Sequence, residues 1–276
     1  MYSHGALDSL RKVLAPYQRI GVAYSGGVDS ATLLAASAKI LGANQVIAFL
    51  GVSSSLAGRE RIGAHRVAEE LGVRLIEIPT DEMSNPDYLA NNGNRCYFCK
   101  DALFSAINAF DFTEFNIEAI AYGENADDSL RSDRPGQLAA QQWGAIKPLS
   151  EAGLTKSKVR ELARELNLSV AEKPASPCLA SRIKPFTPVS TLALAQVELV
   201  EDFLLQNGFN DIRARFLGDH ISLEAPAEEM SLLHSENLQR KVRGFELLHQ
   251  LPPIQFSTAP LVSGSFSRLN LESTHV

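Results

Sequence analysis

The chain has 276 residues, enough for about two domains at roughly 150 residues each. Hydrophobic residues make up 45% and charged residues 21%, the composition of a folded globular protein and not of a disordered one. A net charge of −6, from 26 basic and 32 acidic residues, argues against a surface coated with nucleic acid or docked on an anionic membrane. No window approaches about 18 uninterrupted apolar residues, so no transmembrane helix is expected. The opening MYSHGALDSLRKVLAPYQ lacks the basic, apolar and small-residue succession of a signal peptide, and a cytoplasmic protein is expected.

In chain order, Ile20–Tyr24 reads as a buried strand, followed by SGGVDS and a helix rich in Ala and Leu to about Leu41. Val46–Leu50 is a second strand, a helix runs from about Ala57 to Leu71, and Val73–Ile78 is a third strand. A helix around Cys99–Phe110 then leads to a fourth strand at Ile117–Tyr122. Such alternation predicts an α/β domain with a mostly parallel sheet covered on both faces, and ligands bind at the carboxyl ends of its strands. The stretch 85–100 begins as a polar loop and carries two cysteines; the proline-rich 172–188 carries the third. A boundary near 185 makes residues 1–185 the larger domain and 186–276 a smaller α+β domain. In the latter a helix is expected from about 189 to 206, strands at Asp211–Phe216 and His220–Glu224 joined by a Gly-Asp turn, and a helix from about 227 to 248.

Ser25-Gly26-Gly27-Val28-Asp29-Ser30 lies between a strand and a helix. Two glycines let backbone N–H groups approach an anion closely, and the helix N-terminus adds its dipole. Ser25 and Ser30 can donate to phosphate oxygens, and Asp29 suits Mg²⁺ or holds the loop. The same residues also make a plain capped strand-to-helix turn. GxxxxGK[ST] is absent, which disfavours an ordinary kinase or GTPase. Downstream, Gly123-Glu124-Asn125-Ala126-Asp127-Asp128 follows the fourth strand onto the same rim. Paired carboxylates there suit Mg²⁺ beside phosphates, or simply cap the next segment. Asp133-Arg134-Pro135-Gly136 opens a further helix, and Thr155 caps another whose Lys156 faces phosphate or solvent.

Cys96 and Cys99 form a C-x2-C pair, with Cys178 far downstream. Such a pair more often marks zinc or a redox centre, but none of the six histidines lies close in sequence to a cysteine. Three thiolates without a fourth ligand suit a [4Fe–4S] cluster with one iron open. In Ile212-Arg213-Ala214-Arg215-Phe216 the alternation puts both arginines on one face, where they chelate a phosphate or carboxylate or merely face solvent. After residue 185 the chain carries 6 basic against 11 acidic residues, so this pair is a local exception in a negative surround.

SGGVDS after an apolar strand resembles the pyrophosphatase loop of the adenine nucleotide alpha hydrolases, which split ATP between its α- and β-phosphates. GENADD, DRPG, PLSEAGLTKSKVRELARELNL, RCYFCK and KPASPCLASRI together resemble a narrower group, the LarE-type pyridinium-3,5-biscarboxylic acid mononucleotide sulfur transferases. The resemblance runs from Ser25 through at least Glu224. It implies a PP-loop fold and an enzyme that adenylates a substrate carboxylate with ATP, releases pyrophosphate and converts the acyl-adenylate to a thiocarboxylate. The product serves the nickel-pincer nucleotide of lactate racemase. By resemblance, Ala23, Ser25, Gly26, Gly27, Asp29, Ser30, Gly123 and Lys156 meet ATP, and Asp127 or Asp128 meets Mg²⁺. Arg182, Arg213, Arg215, Glu201 and Glu224 match substrate positions, although the glutamates equally suit salt bridges to the arginines. The family contains a type whose single cysteine, at the position of Cys178, gives up its own sulfur, and a three-cysteine type that looks cluster-dependent. This chain has the three-cysteine pattern.

A sulfide or sulfur donor and a homo-oligomer are expected partners, and nucleic acid is not. One departure stands out: where the family ends in a segment resembling D-L-x-G-(Y/F)-R-S-G, this chain reads Pro260-Leu261-Val262-Ser263-Gly264-Ser265, without the arginine. Two rivals share the loop. An amidating ligase needs an ammonia source, and a tRNA thiolase a basic surface. A non-catalytic nucleotide-binding regulator would bind ATP without releasing pyrophosphate.

Overall fold

The computed structural model describes residues 4–110, 115–130 and 135–262. It divides into two compact units, Met1–Glu82 with Cys96–Ser176, and Met83–Arg95 with Pro177–Val276. Among the described residues no helix is long and apolar enough to cross a membrane.

The first unit is the predicted α/β domain. It runs through α1 (His4–Leu14), β1 (Ile20–Ala23), α2 (Val28–Leu41), β2 (Val46–Val52), α3 (Gly58–Glu70) and β3 (Arg74–Pro79). The chain then passes into the second unit, where α4 (Pro86–Leu89) lies, and returns with α5 (Arg95–Asn108) and β4 (Ala119–Tyr122). α6 (Ala126–Ser129), α7 (Pro135–Gln142), α8 (Pro148–Glu151) and α9 (Lys156–Glu165) complete it. The four strands pair in parallel in the order β3-β2-β1-β4. Alternation within β1 and β2 divides the core: Ile20, Val22, Ala48 and Leu50 pack with α2 and α9, while Ile47 and Phe49 pack with Phe104 and Ile107 of α5. A sheet buried on both faces needs such apolar strands. Gly21 is required within β1, because a Cβ there would lie 2.6 Å from the Phe49 ring and 2.7 Å from Ile120. α2 is buried nearly all round, as its Ala/Leu composition demands.

Two elements start elsewhere than expected. β4 begins at Ala119, and α5 begins at Arg95, so Cys96 and Cys99 stand on its first turns and not in a loop. The helix is anchored early, with the Tyr97 hydroxyl donating to Gln142 (2.6 Å) and Lys100 4.5 Å from the centre of the Tyr122 ring. These tertiary contacts override the polar look of the preceding stretch.

The second unit contains α10 (Thr191–Gln206), β5 (Arg213–Phe216), β6 (Ile221–Glu224), α11 (Met230–Leu233), α12 (Glu236–Leu248) and β7 (Ile254–Phe256). β5 and β6 form the expected antiparallel hairpin, with Gly218 at φ +108° in its turn. β7, not anticipated, adds in parallel to β6. The single helix expected over 227–248 is broken, because the Ser235 hydroxyl caps a new helix by accepting from Leu238 N. Residues 83–95 belong here through Asn91, a buried residue in the left-handed region (φ +54°). Its amide donates to the carbonyls of Lys184 (2.8 Å) and Thr187 (2.9 Å), and Val189 N donates to Leu89 O (2.8 Å).

Candidate active site

The glycine loop Ser25–Ser30 joins β1 to α2 at the carboxyl end of the sheet. Gly26 takes φ +74°, and a Cβ there would also press on Ala64 at 3.1 Å, so glycine is required twice over. Gly27 is the N-cap of α2 and offers no side-chain cap, leaving the first N–H groups of the helix without the usual internal acceptor. The Ser30 hydroxyl donates to Gly27 O (3.1 Å) and accepts from Ser25 N (3.2 Å), closing the turn on itself, and the Ser25 hydroxyl lies 3.1 Å from it. Ala23 ends β1 next to the loop and is buried. Gly123 follows the last residue of β4 and lies directly against the loop: a Cβ would lie 2.7 Å from Ser30 N, which is backbone and cannot give.

Asp29, Lys156 and Asp127 form a chain of contacts beside the loop. Lys156 Nζ donates to Asp29 Oδ2 (2.5 Å), and Lys156 N donates to Asp127 Oδ2 (2.7 Å). The acidic turn is shaped by Asn125, whose Oδ1 accepts from Asp127 N and Asp128 N and whose Nδ2 donates to Asp128 Oδ2 (2.8 Å). Asp29 Oδ1 is buried and, among the described residues, has no hydrogen-bond partner. A carboxylate oxygen held in this way beside the glycine loop is a hard donor suited to Mg²⁺, which takes one or two carboxylates plus phosphates. Asp133 and Arg134 lie outside the described residues.

Beneath the acidic turn lies a network that sequence reasoning missed. Glu124 is buried, accepts from the hydroxyls of Tyr122 (2.6 Å) and Ser129 (2.5 Å), and pairs with Lys147 (3.0 Å). Burial opposes its ionisation, but the hydrogen bonds from Ser129, Tyr122 and Lys147 outweigh that and hold the carboxyl below its usual range. Burial and the Glu124 contact together push the Tyr122 phenol up. Lys173 was also missed. It pairs with Glu60 (2.6 Å) on the first turn of α3, whose backbone packs against Gly26. Nothing in the local sequence signals a pair 113 positions apart.

The second unit gathers the remaining charged candidates. Arg182 and Glu201 are 1% and 0% exposed and paired through Nε–Oε1 (2.8 Å) and Nη2–Oε2 (3.3 Å). Arg213 pairs with Asp211, and Arg215 with Glu224 (3.1 Å). Both strand arginines are buried, which corrects the solvent-facing alternative. Burial and the nearby Arg182 charge push the Arg213 guanidinium below its usual range. Cys178 belongs to the same cluster: its carbonyl accepts from Arg182 Nη1 (3.3 Å), while its thiol is exposed and free of any disulfide.

Cys96 and Cys99 are likewise free of disulfides, three residues apart on one helical face. Among the described residues no group of three or more His, Cys, Asp or Glu side chains forms a metal-holding cluster. Of the atypical C-terminal segment, Leu261 N donates to Ala225 O (2.8 Å), and Ser263–Ser265 lie outside the described residues.

No protein-family profile matches the chain. Across 237 residues, 85% of each protein, it is 30% identical to the pyridinium-3,5-bisthiocarboxylic acid mononucleotide synthase of Lactiplantibacillus plantarum. The chain belongs to the LarE-type family. Two uncharacterised relatives extend the family: a Synechocystis protein, 36% identical over 81% of this chain and 82% of its own, and one from Methanocaldococcus jannaschii, 27% identical over 72% and 74%. In this LarE-type chain the glycine loop, the acidic turn and Lys156 share one unit, and Cys178 shares the other with all three arginines.

Proposed function

We propose that this LarE-type chain is an ATP-dependent sulfur transferase acting on a pyridinium dicarboxylate mononucleotide, in the biosynthesis of the nickel-pincer nucleotide of lactate racemase. The observation that carries the reading is the uncapped glycine loop, with the unpartnered Asp29 oxygen and Lys156 beside it. ATP phosphates take the N–H groups of the first turn of α2 and that of Gly27, which gives up its long contact to Ser25 Oγ (3.5 Å), while the Ser25 and Ser30 hydroxyls turn from each other and from Gly27 O to donate. Ala23 and Gly123 keep the approach free of side chains. Mg²⁺ would be held by Asp29 with Asp127 or Asp128, screening phosphate charge as pyrophosphate leaves. Lys156, beside Asp29 at the loop, carries the positive charge that would face a bound phosphate.

A substrate carboxylate attacks the α-phosphorus: an O–P bond forms, the α–β bridging bond breaks, and pyrophosphate departs. A sulfur nucleophile then attacks the acyl carbon, a C–S bond forms, the bond to AMP breaks, and a thiocarboxylate remains. Arg213 and Arg215 hold the substrate phosphate, Glu224 fixing the second of them. By the family resemblance, Cys96, Cys99 and Cys178, none of them in a disulfide, would hold a [4Fe–4S] cluster that supplies the transferable sulfur. The exposed Cys178 residue also supports a second reading, in which its thiolate attacks the acyl carbon as AMP leaves, and the Cβ–S bond then breaks with loss of the Cα proton, releasing the thiocarboxylate and leaving dehydroalanine at 178.

Anaerobically purified protein given ATP and the dicarboxylated mononucleotide should release pyrophosphate and form the thiocarboxylate. Nucleotide binding without pyrophosphate from any carboxylated nucleotide would leave a regulator instead. Iron content and the visible spectrum separate the sulfur routes: a colourless, iron-free preparation that loses the Cys178 sulfur on turnover identifies the sacrificial one.

A further inference from the structure

Arg182 and Glu201 stand apart from the other charged residues of the second unit, being almost wholly withdrawn from solvent. The guanidinium spends Nε and Nη2 on Glu201, and Nη1 on the carbonyls of Pro177 and Cys178 and on the Ser181 hydroxyl (3.0 Å). Glu201 Oε1 also accepts from Ala214 N (3.2 Å), the residue between Arg213 and Arg215. Arg215 in turn donates to Ser181 O (3.1 Å). The Cys178 segment is thereby tied to β5 by two side-chain routes, besides the backbone bridge of Ile183 to Phe216 directly after it. It needs tying, because Cys178 only precedes a four-residue 3-10 turn, a structure with little stability of its own.

We propose that Arg182 and Glu201 are positioning residues: a buried strut that registers the Cys178 thiol against the Arg213–Arg215 strand, without touching the substrate. The inference rests on the reading of Cys178 as a sulfur-handling residue. A phosphate could reach Arg182 only by displacing Glu201, leaving a buried carboxylate without its counter-charge. A buried ion pair is also weak evidence of stabilisation, since a well-packed apolar pair often serves as well. What an apolar pair cannot supply is the Nη1 contacts to 177, 178 and 181 and the acceptor for Ala214 N.

Two proteins test this, the double variant Arg182→Met/Glu201→Met, which keeps volume without charge, and the conservative Arg182→Lys. Amide hydrogen exchange over residues 177–182 should quicken at least tenfold in the double variant, while nicotinic acid mononucleotide, a pyridinium carboxylate mononucleotide, binds within threefold of the parent by calorimetry. Thiocarboxylate formed per pyrophosphate released should fall at least tenfold in the double variant, and Arg182→Lys should recover part of it. Unchanged exchange over 177–182 overturns the strut, as does mononucleotide binding weakened more than tenfold. If the double variant does not fold, Arg182→Lys carries the same measurements. A parent protein that neither binds the mononucleotide nor releases pyrophosphate defeats the sulfur-transfer reading, whereas the exchange result still decides the strut.

Discussion

The glycine loop and the arginine cluster both present groups suited to an anion, the first from backbone and the second from side chains. In the loop the donors are N–H groups of a glycine turn and an uncapped helix start, which need no counter-charge of their own. In the cluster every guanidinium is buried and carries a carboxylate: Arg182 with Glu201, Arg213 with Asp211, Arg215 with Glu224. An anion entering the loop meets open donors, whereas one entering the cluster must exchange with a carboxylate already in place. The cluster is therefore the more sensitive of the two to loss of a single charge.

Arg182→Met alone should give the largest effect, about 3–5 kcal/mol of destabilisation, because it leaves the fully buried Glu201 uncompensated. Removing both partners should recover most of that, so urea denaturation of the single and double variants measures the charge separately from the packing. A single variant as stable as the double would erase the contrast between the regions.

The loop should instead be sensitive to shape. Gly123→Ala places a methyl 2.7 Å from the Ser30 backbone nitrogen, and overpacking of this kind costs about 1–3 kcal/mol. Gly27→Ala, at φ −79° with only the Ser25 hydroxyl at 3.5 Å, meets no clash and should lose only the N-cap preference of glycine over alanine, about 0.5–1 kcal/mol. Pyrophosphate release should fall sharply in the first and less in the second. Equal stability losses in the two would show that Gly123 does not shape the loop.

The same contrast explains what could be read from sequence. β1, the glycine loop and α2 are local, and an apolar strand, two glycines and an Ala/Leu helix announce themselves within 22 consecutive positions. Asn125 is equally local, since an Asn two residues before a pair of aspartates is an ordinary helix cap. Strict alternation in Ile212–Phe216 located both strand arginines on one face but not their burial; of the carboxylates that make burial tolerable, Glu201 and Glu224 were legible as salt-bridge partners, and Asp211, the partner of Arg213, was not. β7 was invisible because three residues carry too little periodicity to declare a strand. The first turns of α5 were hidden because RCYFC has no apolar repeat of its own and is held by distant partners such as Gln142.

A smaller effect asks whether the backbone-built loop leans on a side-chain network after all. Glu124 lies one residue beyond Gly123 and is the buried carboxylate beneath the acidic turn, with Tyr122, Ser129 and Lys147 donating to it. Its folded carboxyl lies below the unfolded value of about 4.3. The stability it contributes is thus fully present above that value and is lost as pH falls through the folded one. Lys147 is half-exposed, so its share is screened and the hydroxyl contacts carry most of the effect. Glu124→Gln should cost about 1–2 kcal/mol at pH 7, the worth of hydrogen bonds to a charged group less what a neutral amide retains. The difference from the parent should shrink as the pH is lowered, because the parent alone has that ionisation to lose. Urea midpoints for both proteins at pH 7 and below pH 4 check the sign. Parallel acid limbs would mean that Glu124 is not held ionised by these contacts and that the turn carrying Asp127 and Asp128 stands without it.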